Sequence, residues 1–407
     1  MIRLAELTPH LGGGGIEIRM ARVLAGLPAD EFSSSWSGFT PAEPKITALA
    51  GPRVAIHTVE KQRAGVDLGH ILALRDHFRR LAPDVVHVHN FATSVYGVLG
   101  ARLAGVPTVI YESAGRERLE GPTPRQIAVL RALAPHIDVI VAVSEFLAAE
   151  ARACFGVGGT RVQVLPTGID LERFTPAGRG AARAGLDIPE AAFVVGTIGM
   201  FRPVKRVEDV LEAGLRFLAA RPDAYLLIGG ANERGEVPAS MWEAARAAGV
   251  ADRVRLPGRV FGTDTVVPAF DIFINASRFE GASNAIIEAL AAGAAIIATR
   301  VGGNPDVVDA EETGVLVPAE DAAAIEAALG RLYGDRPLLE SMQRRARAVA
   351  LERHSIQGMV GAYATLFRRC VERRRDPVWE RGLRAALGVA DGALTWAKFA
   401  SPRGARP

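Results

Sequence analysis

Residues Asp271–Val308 read DIFINASRFEGASNAIIEALAAGAAIIATRVGGNPDVV. The apolar run ending near Ala276 has the length and composition of a buried strand. A loop carrying Glu280 follows it. Gly281, Ala282 and Ser283 then lead into a helical pattern, with Ser283 as its N-cap. Glu288 falls inside that helix and Gly293 closes it. A second buried strand spans Ala295–Thr299. Strand, loop, helix and strand in this order predict a βαβ unit of a parallel sheet. Free N–H groups at such a helix start suit an anion such as a diphosphate. The small residues before it let a ligand approach the backbone. A glutamate at position 288 can accept hydrogen bonds from vicinal hydroxyls such as those of a ribose. The same two glutamates also read as the polar trim of a buried amphipathic helix.

The pattern extends in both directions. Strand-like runs at Ile2–Leu7, Val54–Thr58, Val85–His89, Thr108–Tyr111 and Val139–Val143 alternate with helical spacing. A turn-rich stretch, Thr175–Glu190, interrupts the series and reads as a hinge linker. Phe193–Ile198 then restarts it. The predicted fold is α/β, with two Rossmann-like, doubly wound parallel-sheet domains facing a central cleft. The expected boundaries are 1–175, a linker at 176–191, a second domain at 192–354, a helix at 355–371 returning to the first domain, and a basic amphipathic tail at 372–407.

Composition narrows the class. The 407 residues are 49% apolar and 23% charged, ordinary for a soluble enzyme. Two cysteines, Cys154 and Cys370, suggest neither a disulfide framework nor a Cys-rich metal site. No secretory signal pattern and no spanning run stand out, so a cytoplasmic protein is expected. The net charge is +3, and Val371–Pro407 alone carries eight basic and four acidic residues. A folded body without basic excess argues against nucleic-acid binding. Basic residues beside Trp379 and Trp396 suit a tail that meets an anionic membrane surface, and equally one that packs on the first domain or is disordered.

Other segments carry chemistry. Arg202 and Lys205 follow the first strand of the second half, where cations would neutralise a departing diphosphate. His87 and His89 point to one side of a strand. Without a companion ligand cluster in sequence, no metal is expected there. Gly12–Gly15 lacks the dinucleotide fingerprint but suits close approach of a phosphate or sugar, with Gly14 and Gly15 nearest the helix start. Glu17 is a first-turn acid favoured by the helix dipole.

Six segments in order resemble retaining glycosyltransferase family four, of the GT-B fold. They are GGIE at Gly14–Glu17, DVVHVH at Asp84–His89, VLPTGIDLERF at Val164–Phe174, GMFRPVKR at Gly199–Arg206, the Glu280–Glu288 pair with its flanks, and TGVLVP at Thr313–Pro318. Many relatives have arginine where this chain has Met200. The resemblance implies a metal-independent transferase using a UDP- or GDP-type sugar as co-substrate, with no other cofactor. It implies donor contacts from Gly14, Gly15, Arg202, Lys205, Gly258, Val260, Glu280, Gly281, Ala282, Ser283, Asn284 and Glu288. Gly258–Val260 would meet the nucleobase, Glu288 the ribose and Glu280 the donor sugar. His89 would reach the cleft beside the transferred sugar, as one of the catalytic set with Arg202, Lys205 and Glu280. Glu17, Tyr111 and Arg116 would face the acceptor, a glycan or lipid-linked glycan in bacterial cell-surface polysaccharide or glycolipid synthesis. That places the enzyme in the cytoplasm or at the inner face of the membrane. The rival readings are a sugar-nucleotide epimerase of similar architecture and a non-catalytic nucleotide-binding module.

Overall fold

The computed structural model describes residues 1–63, 67–115, 121–260 and 262–375. Arg116 and the tail beyond Arg375 lie outside them. Each strand in the described chain runs parallel to its neighbours, because crossover helices return the chain to the same end of the sheet. The first sheet holds β1 (Ile2–Thr8), β2 (Phe32–Gly38), β3 (Ala55–Thr58), β4 (Val85–His89), β5 (Thr108–Ser113), β6 (Val139–Ala142) and β7 (Val162–Val164). Their spatial order is β3-β2-β1-β4-β5-β6-β7. The second sheet holds β8 (Phe193–Ile198), β9 (Ala224–Gly229), β10 (Val254–Arg255), β11 (Ile272–Asn275), β12 (Ala295–Thr299) and β13 (Gly314–Val317), ordered β10-β9-β8-β11-β12-β13.

Both sheets reverse winding direction beside their first strand, between β1 and β4 and between β8 and β11. A crevice opens at the carboxyl ends of strands at such a switch point. The loops after β1, β8 and β11 carry the glycine run, Lys205 and Glu280, so topology brings these segments to the crevices. Each sheet is covered on both faces by apolar side chains, in two separate cores per domain.

Strands β2 and β7 were not apparent from the sequence, nor were the short helices at Pro44–Ala50, at Arg179–Ala184 within the expected linker, and at Asn304–Val307. β2 reads FSSSWSG, with little β propensity, yet it sits between β1 and β3. Its polar groups are paired: Ser35 Oγ donates to the Leu4 carbonyl at 3.2 Å, and Trp36 Nε1 donates to Thr8 Oγ1 at 3.1 Å. β7 is only three residues long, and Pro44–Ala50 forms a short helix.

After the second domain the chain returns. Ile169 bridges Ser355, and the helix Ile356–Arg375 packs on the first domain's Gly15–Gly26 helix. Arg368 Nε donates to Glu31 Oε2 at 2.7 Å, and Phe367 stacks edge-on against Phe32. No helix among the described residues is long and apolar enough to cross a membrane.

Candidate active site

The site is built from the end of β11. Asn275 Nδ2 donates to Glu280 Oε1 at 3.1 Å and to Ser283 Oγ at 3.3 Å. Ser277 Oγ donates to the same Glu280 oxygen at 2.7 Å. Ser283 Oγ in turn caps the helix Asn284–Ala291 by accepting from the Ile286 amide. The glutamate and the helix start are therefore fixed by one polar hub rather than by separate loops.

Lys205 arrives from the other side. A short turn, Pro203–Lys205, follows β8, and Arg206 behind it adopts a left-handed backbone (φ +48°). A two-pronged pair between Arg206 and Asp209, at 2.9 and 2.6 Å, holds that turn. Lys205 Nζ ends 2.6 Å from Glu280 Oε1. About a third of its side chain stays exposed. Arg202 faces the exposed Glu233, with Nε 3.6 Å from Oε1.

Two adjoining cavities share Lys205, Glu280, Ala282 and Asn284. One, of about 310 Å³, lies within the second domain and is lined by Thr197–Met200 and Ser283. The other, of about 400 Å³, lies between the domains and adds Gly15, Arg19, Gly115, Arg202 and Gly281. Glycine is required at this seam. A Cβ on Gly281 would stand 2.7 Å from the Ala114 carbonyl oxygen. At Gly15 a Cβ would stand 3.5 Å from Asn284 Nδ2, an ordinary contact, so the requirement lies at Gly281. The domains also meet where the Phe146 amide donates to Asp306 Oδ2 at 3.3 Å and where Phe146 packs on Phe279.

Glu288 sits one helical turn beyond Asn284. Thr263 Oγ1 donates to its Oε2 at 2.9 Å. Burial pushes its pKa up to about 7 against the pull of that hydroxyl and of Arg22, which approaches from the first-domain helix. Val260 packs against the region of Ile198 and Gly229, behind the second-domain cavity, and the Gly258 carbonyl accepts from the Gly230 amide at 2.7 Å.

Two expectations need correction. His89 does not reach the cleft; it is fully buried. Together with His87 it lies between two carboxylates supplied by neighbouring strands, Glu6 of β1 and Glu112 of β5. Burial works against a charge on His87, but Glu6 and Glu112 outweigh it and hold its pKa up at about 9. Burial would raise Glu6, and the two histidines pull it down to about 2. Arg19 bonds Glu112 and donates to Tyr363 Oη at 2.6 Å, and Tyr363 donates to Glu112 Oε2 at 2.7 Å. Glu6, His87 and His89 offer donor atoms within 4.8 Å of one another, the set among the described residues that suits a metal ion. Sequence spacing hid it, because Glu6 lies 81 residues before His87. Arg19 and a protonated His87 carry the charges that oppose the two carboxylates.

Tyr111 is the second correction. It is a core residue, edge-on to Phe155, and it lines a separate small cavity inside the first domain. Gly115 borders both that cavity and the interdomain one. Glu17 lies against the glycine loop, where a Cβ on Gly14 would collide with its carboxylate. Burial raises its pKa.

Comparison with known proteins identifies the family and the fold. Residues 13–173 match the profile described as Glycosyltransferase Family 4, and residues 192–335 match Glycosyl transferases group 1. A D-inositol 3-phosphate glycosyltransferase of Nocardia farcinica is 29% identical, over 95% of this chain and 92% of its own. One from Geodermatophilus obscurus is 32% identical, over 69% of this chain and 66% of its own. Among solved structures, Anabaena HepE in complex with UDP and glucose superposes with a TM-score of 0.76 at 19% identity, covering 91% of this chain and all of that one. Sucrose-phosphate synthase from Thermosynechococcus elongatus gives 0.75, also at 19% identity, covering 91% and 99%. Both show the two-domain GT-B fold in this chain.

Proposed function

The chain belongs to glycosyltransferase family 4, with a group 1 second domain, and from that premise we propose a metal-independent transfer of a sugar from a nucleotide-diphosphate donor with retention of configuration. The observation that carries the reading is Lys205, paired with Glu280 and lining the cavity that the capped helix start at Ser283–Asn284 also lines. In this reading the donor diphosphate lies between the Lys205 ammonium, with Arg202 beside it, and the helix amides. Glu280 accepts from hydroxyls of the donor sugar, and Glu288 from the ribose. As the anomeric C–O bond breaks, its electron pair stays on the diphosphate. Fixed cations and amides stabilise that growing charge without reorganising. The acceptor oxygen bonds the anomeric carbon on the face the diphosphate leaves, and its proton passes to the departing phosphate oxygen. The domain seam at Gly281 and Ala114 keeps water out.

The HepE crystal holds UDP and glucose, so UDP is the first nucleotide to test. The acceptor side is read as a glycan or lipid-linked glycan of the cell surface, handled at the inner face of the membrane. Thermal stabilisation by UDP, GDP and ADP ranks the donor base. Incubation with the matching nucleotide sugars, with lipid-linked glycans or soluble D-inositol 3-phosphate as acceptors, then identifies product and anomer by NMR. A product of retained anomeric configuration, formed without divalent metal, supports the reading. An epimerised free sugar would assign the protein to the epimerases, and tight nucleotide binding without turnover would make it a binding module.

A further inference from the structure

Strand register assembles a buried group that the proposed transfer does not use. β1, β4 and β5 lie side by side, and parallel pairing sets Glu6 opposite His87 and Glu112 opposite His89. Residues two apart share one face of a strand, and neighbouring strands lie about 4.8 Å from each other. The four side chains therefore meet on one face of the sheet, all fully buried. Each imidazole stands between the two carboxylates. His87 Nδ1 lies 3.1 Å from Glu6 Oε2, and its Nε2 lies 3.3 Å from Glu112 Oε2. His89 Nε2 contacts Glu6 Oε1, and its Nδ1 lies 3.6 Å from Glu112 Oε1. Ionised carboxylates only accept hydrogen bonds, and a neutral imidazole donates from one nitrogen alone. A neutral ring here thus sets one lone pair against a carboxylate oxygen. The two nitrogens on the Glu112 side have no hydrogen bond of good geometry.

We propose that Glu6, His87 and His89 hold a structural divalent transition-metal ion, with zinc as the fitting species. The ion takes the lone pairs of His87 Nδ1 and His89 Nε2 together with the Glu6 carboxylate, which removes the conflict on that side. The opposite ring nitrogens keep their N–H groups, and both are directed at Glu112. A ligating histidine that gives its other N–H to a carboxylate is the usual outer arrangement of such a site. Glu112 is held in turn by Arg19 and by Tyr363 Oη at 2.7 Å. Zinc bonds of about 2.0–2.1 Å set tetrahedral donors roughly 3.3 Å apart. The 3.1 Å between His87 and Glu6 is close to that spacing. In charge, the ion equals the two ring protons it displaces. Two imidazoles disfavour magnesium and calcium, which prefer oxygen ligands. The rings of Tyr363 and Phe367 pack 6.1 and 5.9 Å from that of His87, so no position is open to a substrate. Glu6, His87 and His89 line neither cleft cavity, while Arg19 lines the interdomain one. The ion pins three strands beneath the cleft wall and takes no part in the transfer, so the inference stands apart from the donor reading.

The test is elemental analysis of the full, untagged chain after a brief chelator wash of the native protein. About one zinc per chain is expected to remain, because a buried ion leaves only when the chain opens, and unfolding in chelator should release it. X-ray absorption at the zinc edge should show nitrogen and oxygen ligands at about 2.0–2.1 Å and no sulfur. Protein refolded with zinc should melt at least about 5 °C above protein refolded with chelator, and magnesium should not replace zinc. Glu6→Gln with His89→Gln should lose the ion, whereas Cys154→Ser with Cys370→Ser should keep it. Zinc below about a tenth of an equivalent in the washed wild type would overturn the proposal. So would a sulfur ligand, full zinc content in the Glu6 and His89 variant, or equal melting after refolding with zinc and with chelator. Should that variant fail to fold, the wild-type spectrum and the refolding comparison decide. Transfer that stops after the brief wash while zinc stays bound would count against the metal-independent reaction and leave the buried ion standing.

Discussion

Lys205 Nζ and Glu280 Oε1 stand 2.6 Å apart where the two cavities join. The pair ties a cation from the β8 loop to the carboxylate after β11. In the proposed reaction the two groups separate in role, the lysine turning to phosphate and the glutamate to sugar hydroxyls. Glu280→Gln keeps the hydrogen-bonded shape around Asn275 and Ser277 but releases Lys205 from its counter-charge. Turnover should fall about 100-fold, by analogy with the loss of one charged contact in a reaction centre. Affinity for the free nucleoside diphosphate should hold or rise. Steady-state kinetics beside calorimetric titration check both signs.

Gly281→Ala tests whether the closed seam is needed. The added methyl would face the Ala114 carbonyl at 2.7 Å, a backbone atom that cannot swing aside. The domains should part, raising the radius of gyration in small-angle scattering. Transfer should fall at least about tenfold, while nucleotide binding by the second domain changes little.

Glu288 links stability to pH. Its folded pKa of about 7 exceeds the ordinary value of 4.5. The favourable term is complete below that ordinary value and is lost as pH rises through 7. Glu288→Gln removes this titration. It should stabilise the second domain at pH 8 by roughly 1–3 kcal/mol and leave stability near pH 4 unchanged. The same substitution should weaken nucleotide binding about tenfold, since one of two acceptor oxygens for the ribose is lost. Thermal melts at the two pH values, with and without nucleotide, read both effects.

The buried cluster of the first domain gives a stability prediction. Tyr363→Phe removes the hydroxyl shared by Arg19 and Glu112 and should cost about 1–3 kcal/mol. Glu112→Gln leaves Arg19 buried without its counter-charge and should cost more, about 3–5 kcal/mol. Chemical denaturation followed at Trp36, which is buried in this domain, measures the order.

Much of the architecture was legible because apolar runs and helical spacing alternate twice, and because Ser283 and Gly293 carry the chemistry of helix ends. β2 was not legible. Its serines have no strand preference, and their partners, the Leu4 carbonyl and His77, come from distant segments, as does Thr8 for Trp36. At the site, Lys205 and Glu280 were visible as charged residues on loops after strands. The true surroundings of His89 were not visible, since Glu6 and Glu112 meet it only through strand register. An acid in the middle of an otherwise apolar strand was the available signal, present in both IRLAELT and TVIYES.

Calorimetric titration of Lys205→Ala with a nucleoside diphosphate and with its monophosphate reads the β-phosphate contact alone. The account predicts that the wild type prefers the diphosphate and that the variant loses most of that preference, while its affinity for the monophosphate stays nearly constant. An unchanged preference, or an equal loss for both nucleotides, would contradict it.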